Sequence, residues 1–369
     1  MPGETQSIKQ SIPQHMLVLR DFCIRTFGCK CNRCESACPK GAINIVTSAK
    51  KAAPTIDAKA CTNCCVCVGV CDAFTGTQTT LVNVYSHARR IALSQTGREV
   101  IFTCSECAPK SESVASNVIV LGCLAAIPSE LWLQLLASDT NASIALEMGK
   151  CANCSNNKGN PNAESLMDAA ISKAECWAKK NIGFSEEIPL AIDESLIAGL
   201  MQQGGPSSRR DMFSGVFNQF KDVASGDYRK RTDTSLSSFN EETERKNAHN
   251  AVNLTSSAEF NKYAPLGRVK TTLHPRRKML IEAVGKKPEI AANITINVPK
   301  TNKDLCENCL VCTRFCPTGA RYPNPNNGNL EFKVHLCIGC KMCQNVCKKN
   351  AVEIKETTAE ILINCKNND

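Results

Sequence analysis

The residues in this chain that could do chemistry are its thiols, and their spacing says which chemistry. Cys306-x2-Cys309-x2-Cys312-x3-Cys316-Pro317 is followed by Cys337-x2-Cys340-x2-Cys343-x3-Cys347. This is the ligand spacing of a segment that holds two [4Fe–4S] clusters. A cubane presents irons at separated corners, and each needs one thiolate. Three cysteines spaced by two residues wrap three corners from one short loop. The fourth, after the x3 gap, swings away and ligates the other cluster. The expected sets are Cys306, Cys309, Cys312 with Cys347, and Cys337, Cys340, Cys343 with Cys316. Buried or disulfide-bonded cysteines do not account for two matching runs of this kind.

The N-terminal segment repeats the pattern with one irregularity. Its second run, Cys61-x2-Cys64-x2-Cys67-x3-Cys71, is regular. Its first reads Cys23-x7-Cys31-x2-Cys34-x3-Cys38-Pro39, with Gly28 where the pattern wants a cysteine and an additional Cys29. Cys29-x-Cys31 is tight for two irons of one cube. Cys23 has room to loop back, and Gly28 can supply the positive φ of that turn. Cys23 is therefore favoured, with Cys29 as the alternative. The expected sets are Cys23, Cys31, Cys34 with Cys71, and Cys61, Cys64, Cys67 with Cys38. Cys65 is surplus and expected to be buried beside a cluster. Asp72 stands where a proline usually follows the last cysteine.

After Cys38, Pro39-Lys40-Gly41-Ala42-Ile43-Asn44-Ile45-Val46 reads as a turn entering a strand, and Ala351-Val352-Glu353-Ile354 follows Cys347 in the same way. On these motifs each segment resembles the bacterial-type dicluster ferredoxin domain, over about 50 residues at the N-terminal end and about 55 at the C-terminal end. The resemblance implies two short helices, short strands and two clusters per module.

Between them the rhythm changes. Arg98–Phe102 reads as a buried strand running into Cys104-x2-Cys107, Asn117–Leu121 as a second strand ending at Cys123, and Ser143–Met148 as a third leading to Cys151-x2-Cys154. Pro128 opens an apolar helical stretch, and Glu164–Lys180 reads as another helix. Strands alternating with helices predict a small α/β layered domain with a mostly parallel sheet. Each cysteine group falls at the C-terminal end of a strand, the edge where open α/β sheets bind ligands. The five cysteines resemble those of the iron–sulfur delta subunit of methyl-viologen-reducing hydrogenases, which implies one [2Fe–2S] cluster. Cys104, Cys107, Cys151 and Cys154 are the expected ligands, with Cys123 beside them. A structural zinc on four thiolates is the alternative, although the two Cys-x2-Cys pairs lie far apart for a short zinc ribbon. Cys176 reads as helix packing, and Cys365 has no assigned role.

The chain has 369 residues and 25 cysteines. It begins without the charged start and apolar run of a secretion signal, and no apolar run is long enough to span a bilayer. The cysteines are read as metal ligands in a reducing cytoplasm. The formal charge of +9 does not point to nucleic acid, because each thiolate-bound cluster is anionic. At 5% aromatic residues, a base-stacking surface is not expected either. No phosphate loop, dinucleotide fingerprint or Ser/His/Asp arrangement is present. His15, His87, His249, His274 and His335 are isolated and are not expected to ligate metal.

Four segments result: 1–79 and 264–369 as dicluster modules, 80–200 as the α/β domain and 201–263 as a polar linker. In the linker Asp211–Asp222 carries an apolar helical stripe, read as a docking or core contact. The basic triplets Arg229-Lys230-Arg231 and Arg276-Arg277-Lys278 read as solvated faces, or as a docking rim for an acidic partner. The order of the segments resembles the multi-cluster ferredoxin-like proteins that accompany molybdenum formate dehydrogenases. That resemblance implies an electron-transfer protein without a catalytic site of its own, carrying four [4Fe–4S] clusters and one [2Fe–2S] cluster and exchanging electrons with a redox enzyme. Two other classes stay open: an accessory protein that assembles a molybdoenzyme, and an oxidoreductase subunit with an open iron at the irregular first cluster.

Overall fold

Every cysteine run passes through a short helix, and two small antiparallel strand pairs frame each couple of runs. The computed structural model describes residues 15–46, 53–77, 79–94, 99–110, 113–140, 142–149, 151–190 and 271–367. These belong to one compact unit, Met1–Ala191 with Leu266–Asp369. The expected linker, its helix over 211–222, the triplet at 229–231 and the side chain of Cys365 lie outside the described residues. Among the described residues no helix is long and apolar enough to cross a membrane.

The N-terminal module contains β1 (Met16–Val18), α1 (Arg33–Ala37), β2 (Ile43–Asn44), β3 (Thr55–Ile56), α2 (Val66–Val70) and β4 (Phe74–Gly76). β1 pairs antiparallel with β4, and β2 with β3. The helices are brief because each must release a cysteine: α1 stops at Cys38, where Pro39 prevents continuation, and α2 ends at Cys71 in extended backbone.

The central domain contains α3 (Leu81–Ser94), β5 (Val100–Cys104), β6 (Val118–Leu121), α4 (Ser129–Leu136), β7 (Ile144–Leu146), α5 (Ala163–Ala178) and β8 (Gly183–Phe184). The sheet order is β6-β5-β7-β8, parallel throughout. Buried Phe102 of β5 meets buried Trp132 of α4 edge-on, with ring centroids 5.0 Å apart. The side-chain oxygen of Asn162 caps α5 by accepting the Ser165 N–H at 2.8 Å. Two elements were not read from the sequence. In α3, Val84, Ala88 and Ile91 are buried at helical spacing, a signal that was present. β8 is two exposed residues and left none.

The C-terminal part contains α6 (Pro275–Lys286), β9 (Thr295–Thr301), α7 (Val311–Arg314), β10 (Arg321–Pro323), β11 (Leu330–Phe332), α8 (Met342–Asn345) and β12 (Val352–Thr358). β9 pairs with β12 and β10 with β11, all antiparallel. The wiring repeats that of the N-terminal module: the strand before the first run pairs with the strand after the second, and the two strands between the runs pair with each other.

One apolar core joins all three segments. It includes Val66 and Val70 of α2, Leu131 and Leu135 of α4, Leu280 and Val284 of α6, and Leu362. Gln134 on α4 donates to Glu282 on α6 at 2.6 Å. The expectation of a solvated face at Arg276-Arg277-Lys278 is corrected here. Arg277 is buried. Arg276 forms an ion pair with Asp72 at 3.3 Å and donates to the Val68 carbonyl at 2.8 Å. Only Lys278 faces water. His274, buried and edge-on to Phe22, stands 3.1 Å from Asp72 across 202 residues of sequence. The acidic residue that replaces the usual proline thus anchors the C-terminal half.

Candidate metal centres

Three of the four runs curl the same way. Asn63 and Cys65, Asn308 and Leu310, and Gly339 and Lys341 all have positive φ, on either side of the second cysteine of each run. The alternation bends the chain tightly around a centre. Asparagine and glycine suit the first of these positions because they tolerate left-handed backbone. The first run does not share this curl: neither Lys30 nor Asn32 is among the positive-φ residues, and the turn is made at Gly28, with φ +90°.

Many of the described thiols lie beside others of the same expected set, and Cys312 also lies beside Cys343 of the neighbouring one. Cys34 lies beside Cys71, Cys31 and Cys23, and burial pushes its thiol up to about 12. Cys67 lies beside Cys64, Cys38 and Cys61 and is likewise raised by burial. Cys343 lies beside Cys340, Cys337 and Cys316, its thiol raised by burial to about 11. Cys312 lies beside Cys306, and Cys309 is exposed on the same loop. Within the groups the thiols are spread: among the described residues no three His, Cys, Asp or Glu side chains converge closely enough to share one metal ion, whereas a cubane takes one thiolate at each separated iron. Cys65 is surplus and buried, its Sγ 3.3 Å from the Asn63 carbonyl and 3.6 Å from Met16 Sδ. Cys176 is exposed on α5 rather than packed.

Cys29 goes elsewhere. Its free thiol lies beside that of Cys340 of the C-terminal module, a proximity that lowers Cys29 and, together with burial, raises Cys340. The two modules therefore meet thiol to thiol. On the other side, Cys123 lies beside Cys64 as well as Cys104 and Cys154. A Cβ on Gly122 would stand 2.8 Å from the Asn63 carbonyl, so the central sheet edge abuts a cluster loop backbone to backbone.

At that edge Cys104, Cys123, Cys151 and Cys154 line one cavity together with Glu106 and Glu164. Cys107 is not part of this lining. Its Sγ is 3.3 Å from Cys104 Sγ and accepts the Gly149 N–H at 2.9 Å, and burial pushes its thiol up to about 12. A larger cavity, about 600 Å³, has Cys23, Cys31, Cys34 and Cys71 on its walls along with Cys340. Arg25, Arg33, Lys173, His274 and Arg276 also line it, against Asp72 and Glu130.

Several features of the chain fit anionic iron–sulfur centres. The closing cysteine of each run accepts a backbone N–H: Cys38 from Ala42 at 3.3 Å, Cys71 from Ala73 at 3.5 Å, Cys316 from Arg321 at 3.5 Å and Cys347 from Ala351 at 3.3 Å. Such bonds favour a charged sulfur and tune a centre's potential. Arg321 is 3% exposed and donates through Nη1 to Cys312 Sγ at 3.6 Å and through Nη2 to Thr301 Oγ1 at 2.8 Å. Its buried Nε has no hydrogen-bond partner, and no carboxylate pairs with it among the described residues. A buried guanidinium needs a counter-charge, which thiolate-bound clusters would supply. Sequence reasoning passed over Arg321. The signal was the repeat itself, which puts Ile43 and Val352 at the same distance after Cys38 and Cys347.

Comparison with known proteins agrees with this chemistry for part of the chain. Residues 298–348 match the family described as a 4Fe-4S dicluster domain. The chain is 39% identical over 62 residues to a subunit of the sulfite dehydrogenase of Allochromatium vinosum, covering 16% of this chain and 24% of that protein. It is 37% identical over 54 residues to pyruvate synthase subunit PorD of Methanocaldococcus jannaschii, covering 15% and 62%. It is 34% identical over 83 residues to an iron-sulfur protein of Rhodospirillum rubrum, covering 21% and 43%. The chain thus spans less than two thirds of the length of these relatives. No solved structure matches it.

Proposed function

We propose that this chain is a multi-cluster electron-transfer protein that relays electrons between a redox enzyme and another carrier. The observation that carries the reading is the unbroken adjacency of the thiol sets. From the five-cysteine site, Cys123 adjoins the Cys38/Cys61/Cys64/Cys67 set. α2 joins that set to Cys23/Cys31/Cys34/Cys71, since it carries Cys67 and ends at Cys71. Cys31 and Cys34 share a cavity with Cys340 of the next set, Cys29 lying beside both Cys31 and Cys340, and Cys343 adjoins Cys312 of the last. Clusters held there would supply one-electron transfer. The protein's part is to hold them in order, bury them and balance their charge. The named relatives are subunits of a sulfite dehydrogenase and a pyruvate synthase, which supports a redox complex as partner. A formate dehydrogenase or hydrogenase-type enzyme in the cytoplasm is the specific partner we favour.

In this reading Cys23 is the ligand of the first set and Cys29 is not. Four [4Fe–4S] clusters and one [2Fe–2S] cluster predict about 18 irons per chain with matching acid-labile sulfide and no zinc. About 16 irons with one zinc would make the central site structural instead. Cys23→Ser should lower the count by about four, whereas Cys29→Ser should leave it unchanged. The reverse result would exchange their roles, and a wild-type count far below these values would sink the relay.

The cavity beside the first set favours a second reading, an oxidoreductase subunit whose first cluster meets a small anionic substrate. Its volume lies within the range of small-molecule sites, and cations dominate its charged lining. If so, acetate, phosphate or sulfite should change the paramagnetic spectrum of the reduced first set. A spectrum unmoved by all three leaves the relay alone.

A further inference from the structure

The charge around the thiol sets changes sign along their order. At the central site Glu106 and Glu164 share the cavity with four of the cysteines, and Glu147 lies beside Cys107. The next set is lined largely by apolar residues, Met16, Ile43 and Ile56 among them, together with Lys40. Around the set of Cys23 and Cys71 cations already outnumber carboxylates, but they are partly offset: Arg25 lies beside Cys23, and Arg276 beside Cys71 is countered by Asp72. In the C-terminal module the buried charges are cationic, while by the exposed Cys309 Lys349 pairs with Glu307. Arg277 lies beside Cys337, and Arg321 touches Cys312 through its guanidinium and Cys316 through its backbone N–H.

Arg321 serves both C-terminal sets at once, since its guanidinium also lies beside Cys343. A fixed, buried positive charge favours whichever state of its neighbours is more negative, and for an iron–sulfur centre that is the reduced state. The internal repeat supplies the control. The same position is Ile43 after Cys38 and Val352 after Cys347, both buried and uncharged.

We infer that the chain has a direction: electrons enter at the five-cysteine site and collect on the C-terminal pair, with Arg321 as the residue that sets the C-terminal end. The inference rests on the relay reading. In each transfer a reduced one-electron carrier loses an electron at the carboxylate-flanked end. An oxidised partner gains one at the C-terminal module, where Cys309 is exposed. The chain itself is left unchanged.

The test is a potentiometric titration of the iron-loaded full chain, followed by paramagnetic resonance. Cys309→Ser, which removes a ligand of the last set, assigns that set's signal. In the wild type the C-terminal pair should be reduced first and the central site last. Arg321→Gln should make the C-terminal pair at least tenfold harder to reduce, about 59 mV, while the other centres stay in place. Arg321→Lys, which keeps the charge, should restore most of the shift. If the wild-type C-terminal pair titrates below the central site, the direction is wrong. That ordering decides the matter even if Arg321→Gln fails to fold. If Arg321→Gln keeps its iron and shifts nothing, Arg321 does not set the end. A wild-type chain lacking iron in the C-terminal sets would overturn the relay itself, which the iron count distinguishes from a wrong direction.

Discussion

Replacing Gly69 by alanine will pull the N-terminal module off the central sheet and cost that module the iron proposed for it. A Cβ at this position would lie 1.7 Å from the carbonyl oxygen of Ala125 and 2.9 Å from its carbonyl carbon. The obstacle is backbone, so no side chain can swing aside. Gly69 sits near the end of α2, two residues after Cys67 and two before Cys71. Any shift of α2 therefore moves a cysteine of each N-terminal set. The penalty should reach at least about 3 kcal/mol, the upper end of what overpacking costs. Gly28→Ala is the comparison. Its φ of +90° strains a side chain, but nothing stands within 4 Å, so it should cost only about 1–2 kcal/mol. Thermal unfolding with iron analysis of both variants checks this. A Gly69→Ala protein with wild-type iron and stability would mean that α2 does not make this approach.

Asp72→Ala should loosen the C-terminal half from the N-terminal module without touching a thiol. Asp72 pairs with Arg276 and His274, and all three side chains are largely buried, at 11%, 19% and 4% exposed. Removing the carboxylate leaves the Arg276 guanidinium buried and uncompensated, a change that typically costs about 3–5 kcal/mol. Arg276 keeps its bond to the Val68 carbonyl, which argues for the lower end of that range. Amide exchange over α6 should then accelerate at least about 100-fold, since each 1.4 kcal/mol is tenfold. The Cys29–Cys340 contact depends on the same junction, so electron exchange between the modules should slow as well. Exchange unchanged over α6 would show that the apolar contacts between α4 and α6 suffice without the ion pair.

Much of the candidate chemistry was legible because cluster ligation is local. Three cysteines spaced by two residues must lie on one loop, so the runs at Cys61, Cys306 and Cys337 can be read without a fold. The parallel sheet was legible for a related reason. Its first three strands are mostly apolar runs, and a cysteine ends each or follows it within five residues. The irregular run was harder. Its oddities, Gly28 in place of a cysteine and the added Cys29, are visible in the sequence, but the contact that Cys29 makes lies in the other module.

By itself the sequence determined which residues are able to ligate, how they group within each run, and that helices alternate with strands between the modules. Only the tertiary structure decided that the modules meet, that Asp72 finds His274 and Arg276, that Cys123 faces Cys64, and that the Arg276-Arg277 pair turns inward. The physical reason is range. Ligand spacing and backbone curl are settled within a few residues by covalent geometry. A buried charge finds its partner by packing, and here the partner lies 202 residues away. Arg321 stands between the two cases: its place in the repeat is written in the sequence, but its burial between two thiol sets comes from how β9, β10 and the cluster loops close around it.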